Sequence, residues 1–94
     1  MPIDFERRVS VPGDVLVREL EDESVLLNLD NETYYGLDPV GTRMWALLTT
    51  APSVRAAYEA LLAEYAVTPE VLQHDLETLL NQLLDHGLLE LTDG

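Results

Sequence analysis

The chain has 94 residues, 47% of them apolar, which is enough for one compact core, and it has no cysteine for a disulfide framework, a thiolate ligand or a thiol nucleophile. Eighteen acidic side chains face five arginines and no lysine, and the resulting net charge of −13 opposes both phosphate backbones and anionic bilayers. Nucleic acid and membrane are thereby excluded as partners; the acidity suits a neutral or basic peptide or protein, or only keeps a small domain soluble.

Residues 1–14 read as an extended lead-in ending at the Pro12-Gly13 turn. The segment has no continuous apolar stretch of the signal-peptide kind, and no run in the chain is long enough to span a bilayer, so a cytoplasmic protein is expected. Val15 to Leu20 is a first strand and Glu21-Asp22-Glu23 a solvated turn. A second strand begins at Ser24, where Val25, Leu27 and Leu29 alternate. Asp30-Asn31 tolerates left-handed turn geometry, and Glu32 to Leu37 resumes a strand in β-branched and aromatic residues. Tyr34 and Tyr35 are adjacent on it, so their side chains leave opposite faces; which one faces a partner is left open by the sequence.

Three helices follow. Asp38 is placed to cap the first, with Pro39 at its first position, and Val40, Met44, Leu47 and Leu48 share a face until Thr49-Thr50-Ala51-Pro52 breaks it. Ser53 caps the second, along which Val54, Ala57, Tyr58, Leu61, Leu62 and Tyr65 repeat at three and four residues. Thr68-Pro69 starts the third, which Gly87 ends, and Leu88 to Leu91 is a short apolar piece able to pack back as a strand. The fold class is α+β: a three-stranded antiparallel sheet followed by three helices, winged helix-turn-helix-like, in one domain over residues 1–94 with its core in 15–91.

On the third helix Leu72, Leu76, Leu79, Leu80, Leu83 and Leu84 fill one arc at about 100° per residue, while Val71 lies off its edge beside Asp75 and Gln82. Val71 either closes the core near the helix start or lines a groove between this helix and the sheet. Leu84 and Leu88 carry the arc beyond what one core requires, which leaves room for a homodimer surface. His74 and His86 are ~18 Å apart along the helix axis and cannot share a metal. The acidic run Glu19, Glu21, Asp22, Glu23 lacks the loop spacing and sharp-turn glycine of a hard-cation site. No phosphate-binding glycine pattern, nucleophile elbow or carboxylate pair stands out, so no enzyme activity, cofactor or metal is expected.

The Tyr-Tyr-Gly-Leu-Asp-Pro-Val-Gly junction at Tyr34 to Gly41, the Met44-Trp45 pair, and a last helix carrying Asp75-Leu76 and ending Leu83 to Leu88 around Gly87 resemble the PqqD-like domains. These are the precursor-peptide recognition elements of pathways that modify ribosomally made peptides, and the resemblance, over roughly Val15 to Leu91, is greatest to the stand-alone leader-binding proteins of lasso peptide biosynthesis. It implies that the leader segment of a precursor peptide adds as a strand to the third strand. Main-chain groups of Glu32, Thr33, Tyr34, Tyr35, Gly36 and Leu37 would receive it, and Val71, Asp75, Leu76 and Leu79 would supply the helical wall. It also implies a partner leader protease, or another modifying enzyme, to which the precursor is presented. The Tyr34-Tyr35 pair favours the lasso branch over the quinone-type members that serve a radical enzyme.

A winged-helix transcription factor shares this architecture. Its recognition helix would need Arg, Lys, Asn or Gln toward the major groove, whereas the third helix carries Glu70, Asp75, Glu77 and Asp85 and no arginine or lysine.

Overall fold

A computed structural model describes residues 3–92. Its main sheet has the antiparallel order β2-β3-β4, built from β2 (Val15–Leu20), β3 (Glu23–Asn28) and β4 (Thr33–Leu37). The helices α1 (Pro39–Thr50), α2 (Val54–Glu64) and α3 (Pro69–Asp85) follow, as the sequence predicts. Two three-residue strands, β1 (Arg8–Ser10) and β5 (Glu90–Thr92), pair antiparallel in a second small sheet.

Side chains alternate cleanly on β3 and β4, while β2 is buried only at Val15. Ser24, Leu26 and Asn28 of β3 are buried against the helices, with Leu37 of β4 and Val15 of β2 on the same side. The core continues through Met44, Trp45, Leu48, Val54, Ala57, Leu61, Leu72, Leu76, Leu80 and Leu83 to Leu88 and Leu89. Leu88 is fully buried and Leu84 is half-buried against the same core, so the long arc of α3 is spent inside the chain. Val71, by contrast, is 51% exposed and does not close the core.

Each helix start obeys the capping chemistry read from the sequence. The side chains of Asp38, Ser53 and Thr68 accept from the amides of Gly41, Ala56 and Val71, and proline opens α1 and α3. The lead-in adds to this. Carbonyls of Phe5 and Arg7 accept from Arg55 N and Val54 N at 2.8 and 2.9 Å, satisfying amides at the start of α2 that have no partner within the helix. Phe5 and Val9 are buried in the core, and Phe5 lies edge-on to Tyr58 at 5.6 Å.

At the other end α3 closes in a Schellman motif. Leu88 N donates to Leu83 O at 2.9 Å, Gly87 N to Leu84 O at 3.1 Å, and Gly87 takes φ +69°. The turn between β3 and β4 is tied to this helix end. Asn28 Nδ2 donates to Gly87 O at 2.8 Å, while Asn31 Nδ2 and Thr33 Oγ1 each reach His86 O at 3.3 Å. The turn differs from the sequence reading in one respect: the left-handed residue is Glu32 (φ 59°), not Asp30 or Asn31. Asn31 instead uses its side chain, accepting from Thr33 N at 3.1 Å and Thr33 Oγ1 at 2.6 Å, so the amide after Glu32 is satisfied locally. Glu32 therefore belongs to the turn, and β4 begins at Thr33.

Candidate functional site

Because the sheet order is β2-β3-β4, β4 pairs with β3 on one side and, among the described residues, with no strand on the other. Its outer N–H and C=O groups are a template for another strand. Beside this border runs a groove with three walls. Tyr35, Gly36 and Leu37 form the strand wall and Val40, Gly41 and Met44, from the first turns of α1, form the floor. Asp75, Thr78, Leu79 and Gln82 form the helical wall. The spacing of these last four, three then one then three residues, places them along one side of α3, next to the buried arc. The groove comprises two adjoining hollows of about 280 and 230 Å³ that share Asp38, Gly41 and Leu79.

The junction from strand to helix sets the floor. Asp38 turns the chain, and its carboxylate accepts from Gly41 N at 2.7 Å. A Cβ on Gly41 would stand 3.2 Å from both Asp38 Oδ1 and Leu37 Cδ2, so glycine lets the first turn of α1 tuck under the end of β4. The opposite end of the groove is closed by Tyr35. Its hydroxyl donates to Gln82 Oε1, and its ring meets His86 edge-on at 5.5 Å and 71°. His86 is fixed in turn, its Nδ1 donating to Gln82 O at 2.7 Å. Strand and helix are thus latched through Tyr35.

The electrostatics of the groove are one-signed. Asp38 and Asp75 are the charged residues that line it, and Val40 and Leu79 supply apolar surface between them. The nearest arginine on α1, Arg43, is engaged elsewhere: its guanidinium grips Glu64 of α2, with Nε donating to Oε2 at 2.9 Å. That hydrogen bond and the charges behind it raise the Arg43 pKa and lower that of Glu64. A depressed carboxylate pKa stabilises the fold above the usual glutamate range and loses that contribution as pH falls; at so exposed a site salt screens most of it.

The residues proposed from sequence are distributed as follows. Tyr35, Gly36 and Leu37 line the groove, as do Asp75 and Leu79. Thr33 is half-buried, with its hydroxyl turned to the end of α3. Tyr34 is 74% exposed on the far face of the sheet, so only its main chain borders the groove. Leu76 is wholly buried in the core and is not part of the wall. Val71 is an exposed residue near the start of α3, outside the two hollows. The sequence reading missed Asp38, Val40, Gly41, Met44, Thr78 and Gln82 as groove residues. A signal for the last two was present: stepping by three and four from Asp75 gives Thr78, Leu79 and Gln82.

None of the curated proteins matches the chain. A solved structure of TbiB1 in complex with the TbiA(beta) leader peptide is similar at a TM-score of 0.79 and 38% identity, covering 85% of this chain and 93% of that one. A structure of lasso peptide synthetase B1 complexed with the leader peptide has a TM-score of 0.78 at 19% identity, covering 88% and 98%, and shows likeness of fold. The family model described as Coenzyme PQQ synthesis protein D (PqqD) matches residues 23–89, from the start of β3 to the end of the core. The chain belongs to the PqqD family.

Proposed function

We propose that this chain binds the leader segment of a ribosomally made precursor peptide, which adds as a fourth strand along β4 and sends alternate side chains into the groove against α3. The observation that carries this reading is the coincidence of an unpaired strand border with a continuous groove beside it. Main-chain hydrogen bonds along Thr33 to Leu37 would supply affinity that is indifferent to sequence, and the hollow around Gly41, Met44 and Leu79 would select the side chains. The likeness to TbiB1, solved with a leader peptide bound, supports the ligand class. In this reading the chain is a carrier and not a catalyst: it presents the precursor to a leader protease in lasso peptide maturation. A recogniser serving a different modifying enzyme would use the same groove for a different leader.

The test is a calorimetric titration with the synthetic TbiA(beta) leader, the peptide bound in the related structure, and with the leader of any precursor found encoded near this gene, with scrambled leaders of the same composition as controls. Saturable one-to-one binding at about 10 μM or tighter, absent with the scrambled peptide, is expected for a short strand-addition interface. Equal binding of a leader and its scramble, or binding of no leader, rejects the reading.

A further inference from the structure

The groove carries a charge that the open strand border does not explain. Asp38 and Asp75 both line its larger hollow, of about 280 Å³, and none of the five arginines does. Arg43 is held by Glu64 and Arg55 by Glu6. The polar neighbours are committed as well: Thr78 Oγ1 donates to His74 O at 2.9 Å, and Gln82 Oε1 accepts from the Tyr35 hydroxyl. Asp38 spends Oδ1 on its cap, accepting from Gly41 N at 2.7 Å, which leaves its second oxygen without a partner among the described residues. The Asp75 carboxylate has no hydrogen-bond or ion-pair partner among them at all.

In the free chain, water solvates both carboxylates and the arrangement costs little. Once a guest strand covers the hollow, each charge loses that water and no group of the chain replaces it. An apolar or acidic guest side chain seated here would leave both charges unpaired. A long cationic one would not, because its methylene stem can lie on Val40 and Leu79 while its head donates to the carboxylates, matching the mixture of apolar wall and acid that the hollow presents. One positive charge between two negative ones also leaves none to spare for a third carboxylate. The topology fixes where on the guest this side chain sits. Asp38 and Val40 follow Leu37 in the chain, so the larger hollow lies past the C-terminal end of β4, and the cation belongs to the end of the guest strand that passes Leu37.

We propose that the larger hollow is a cation subsite, which accepts one inward-facing arginine or lysine of the leader between Asp38 and Asp75 and so decides which leaders are taken. This rests on the leader-binding reading above and gives it a chemical selectivity that main-chain pairing alone lacks.

The experiment is a double-mutant cycle by calorimetry on the full chain, with the leader that binds in the titration above and with versions of it in which each lysine and arginine is replaced in turn by glutamine. One replacement is expected to lower wild-type affinity at least about tenfold, the scale of a close charge pair at an interface. Asp75→Asn should cost a similar factor, and in that variant the same replacement should cost no more than about threefold. Asp38→Asn, which retains a capping side chain, should behave as Asp75→Asn does. If Asp38→Asn lowers the melting temperature, Asp75→Asn alone is read. Glu59→Gln removes one negative charge from the exposed side of α2, outside the groove, and should leave affinity within about twofold. A loss with Glu59→Gln as large as with Asp75→Asn overturns the proposal, since the acidic chain would then attract a basic peptide without a site. Equal cost of every replacement in wild type and Asp75→Asn overturns it too, as does tight binding of a leader that has no lysine or arginine. Failure of every leader to bind removes the leader-binding reading first, and is seen before any variant is made.

Discussion

Gly87→Ala is expected to cost about 2–4 kcal/mol, seen as a lower urea midpoint with an unchanged slope. Two independent causes add. Gly87 holds φ +69°, a conformation that a Cβ disfavours in any L-residue, and a Cβ built there would stand 2.8 Å from Asn28 Nδ2. That nitrogen is one of three donors that tie the β3–β4 turn to the carbonyls just beyond α3, at 2.8 Å from Gly87 O. Asn28 is 5% exposed, so pushing it aside leaves buried polar groups unpaired. The substitution therefore loosens the joint that fixes β4 against α3, and leader affinity should fall together with stability. Gly13→Ala is the internal control. Nothing lies within 4 Å of a Cβ there and the position carries no left-handed φ, so its urea midpoint should match wild type.

Leu79→Asp is the second substitution with a large expected effect, on binding and not primarily on folding. Leu79 is shared by both hollows and is half-buried, with one side on the core and the other open to the groove. A carboxylate in its place removes apolar surface from the centre of the groove and adds a third negative charge beside Asp38 and Asp75. A guest strand would then have to bury that charge unpaired. Leader affinity should drop about 30-fold or more, which is the scale of a central interface residue. Leu79→Met, similar in volume and unbranched, should retain most of it. If Leu79→Asp unfolds the chain, the comparison passes to Thr78→Asp, which is exposed on the same wall and free of the core. Leader affinity unaffected by the charge at both positions would mean that the groove between α1 and α3 takes no side chain of the guest.

These residues also show what the sequence could disclose. The helix boundaries were legible because their chemistry is local: Asp38-Pro39, Ser53 and Thr68-Pro69 are caps whose acceptor and donor lie three residues apart. The β2–β3–β4 meander was legible because each strand sits beside its neighbour in sequence. β1 was not, since Arg8–Ser10 is too short to show alternation and its partner, Glu90–Thr92, lies at the other end of the chain. The roles of Tyr34 and Tyr35 were half legible. Alternation separates their faces, but only the position of α3 decides that Tyr35 reaches Gln82 and His86 while Tyr34 faces outward.

The wall of α3 shows the same limit. The leucine arc is strong, and Leu76 sits at its middle, which is why that residue is sealed in the core and unable to line a groove. The groove uses the shoulder of the arc, where Asp75, Thr78 and Gln82 flank Leu79, and polar residues on a helix shoulder look like ordinary solvated surface until the neighbouring strand is in place. Gly41 and Met44 were read as parts of α1, and their second role as groove floor depends on how closely that helix starts beneath β4. Elements were set by neighbours in sequence and the site by contacts among three of them.

The central claim is that a peptide extends the sheet at β4, and amide hydrogen exchange across the chain, with and without the leader, tests it most directly. Strand addition predicts that alternate amides within Thr33 to Leu37 slow on binding while those between them, already bonded to β3, change little, and that the outer border of β2 exchanges as before. Slowing confined to β2, or to helical amides with β4 unchanged, would contradict the account.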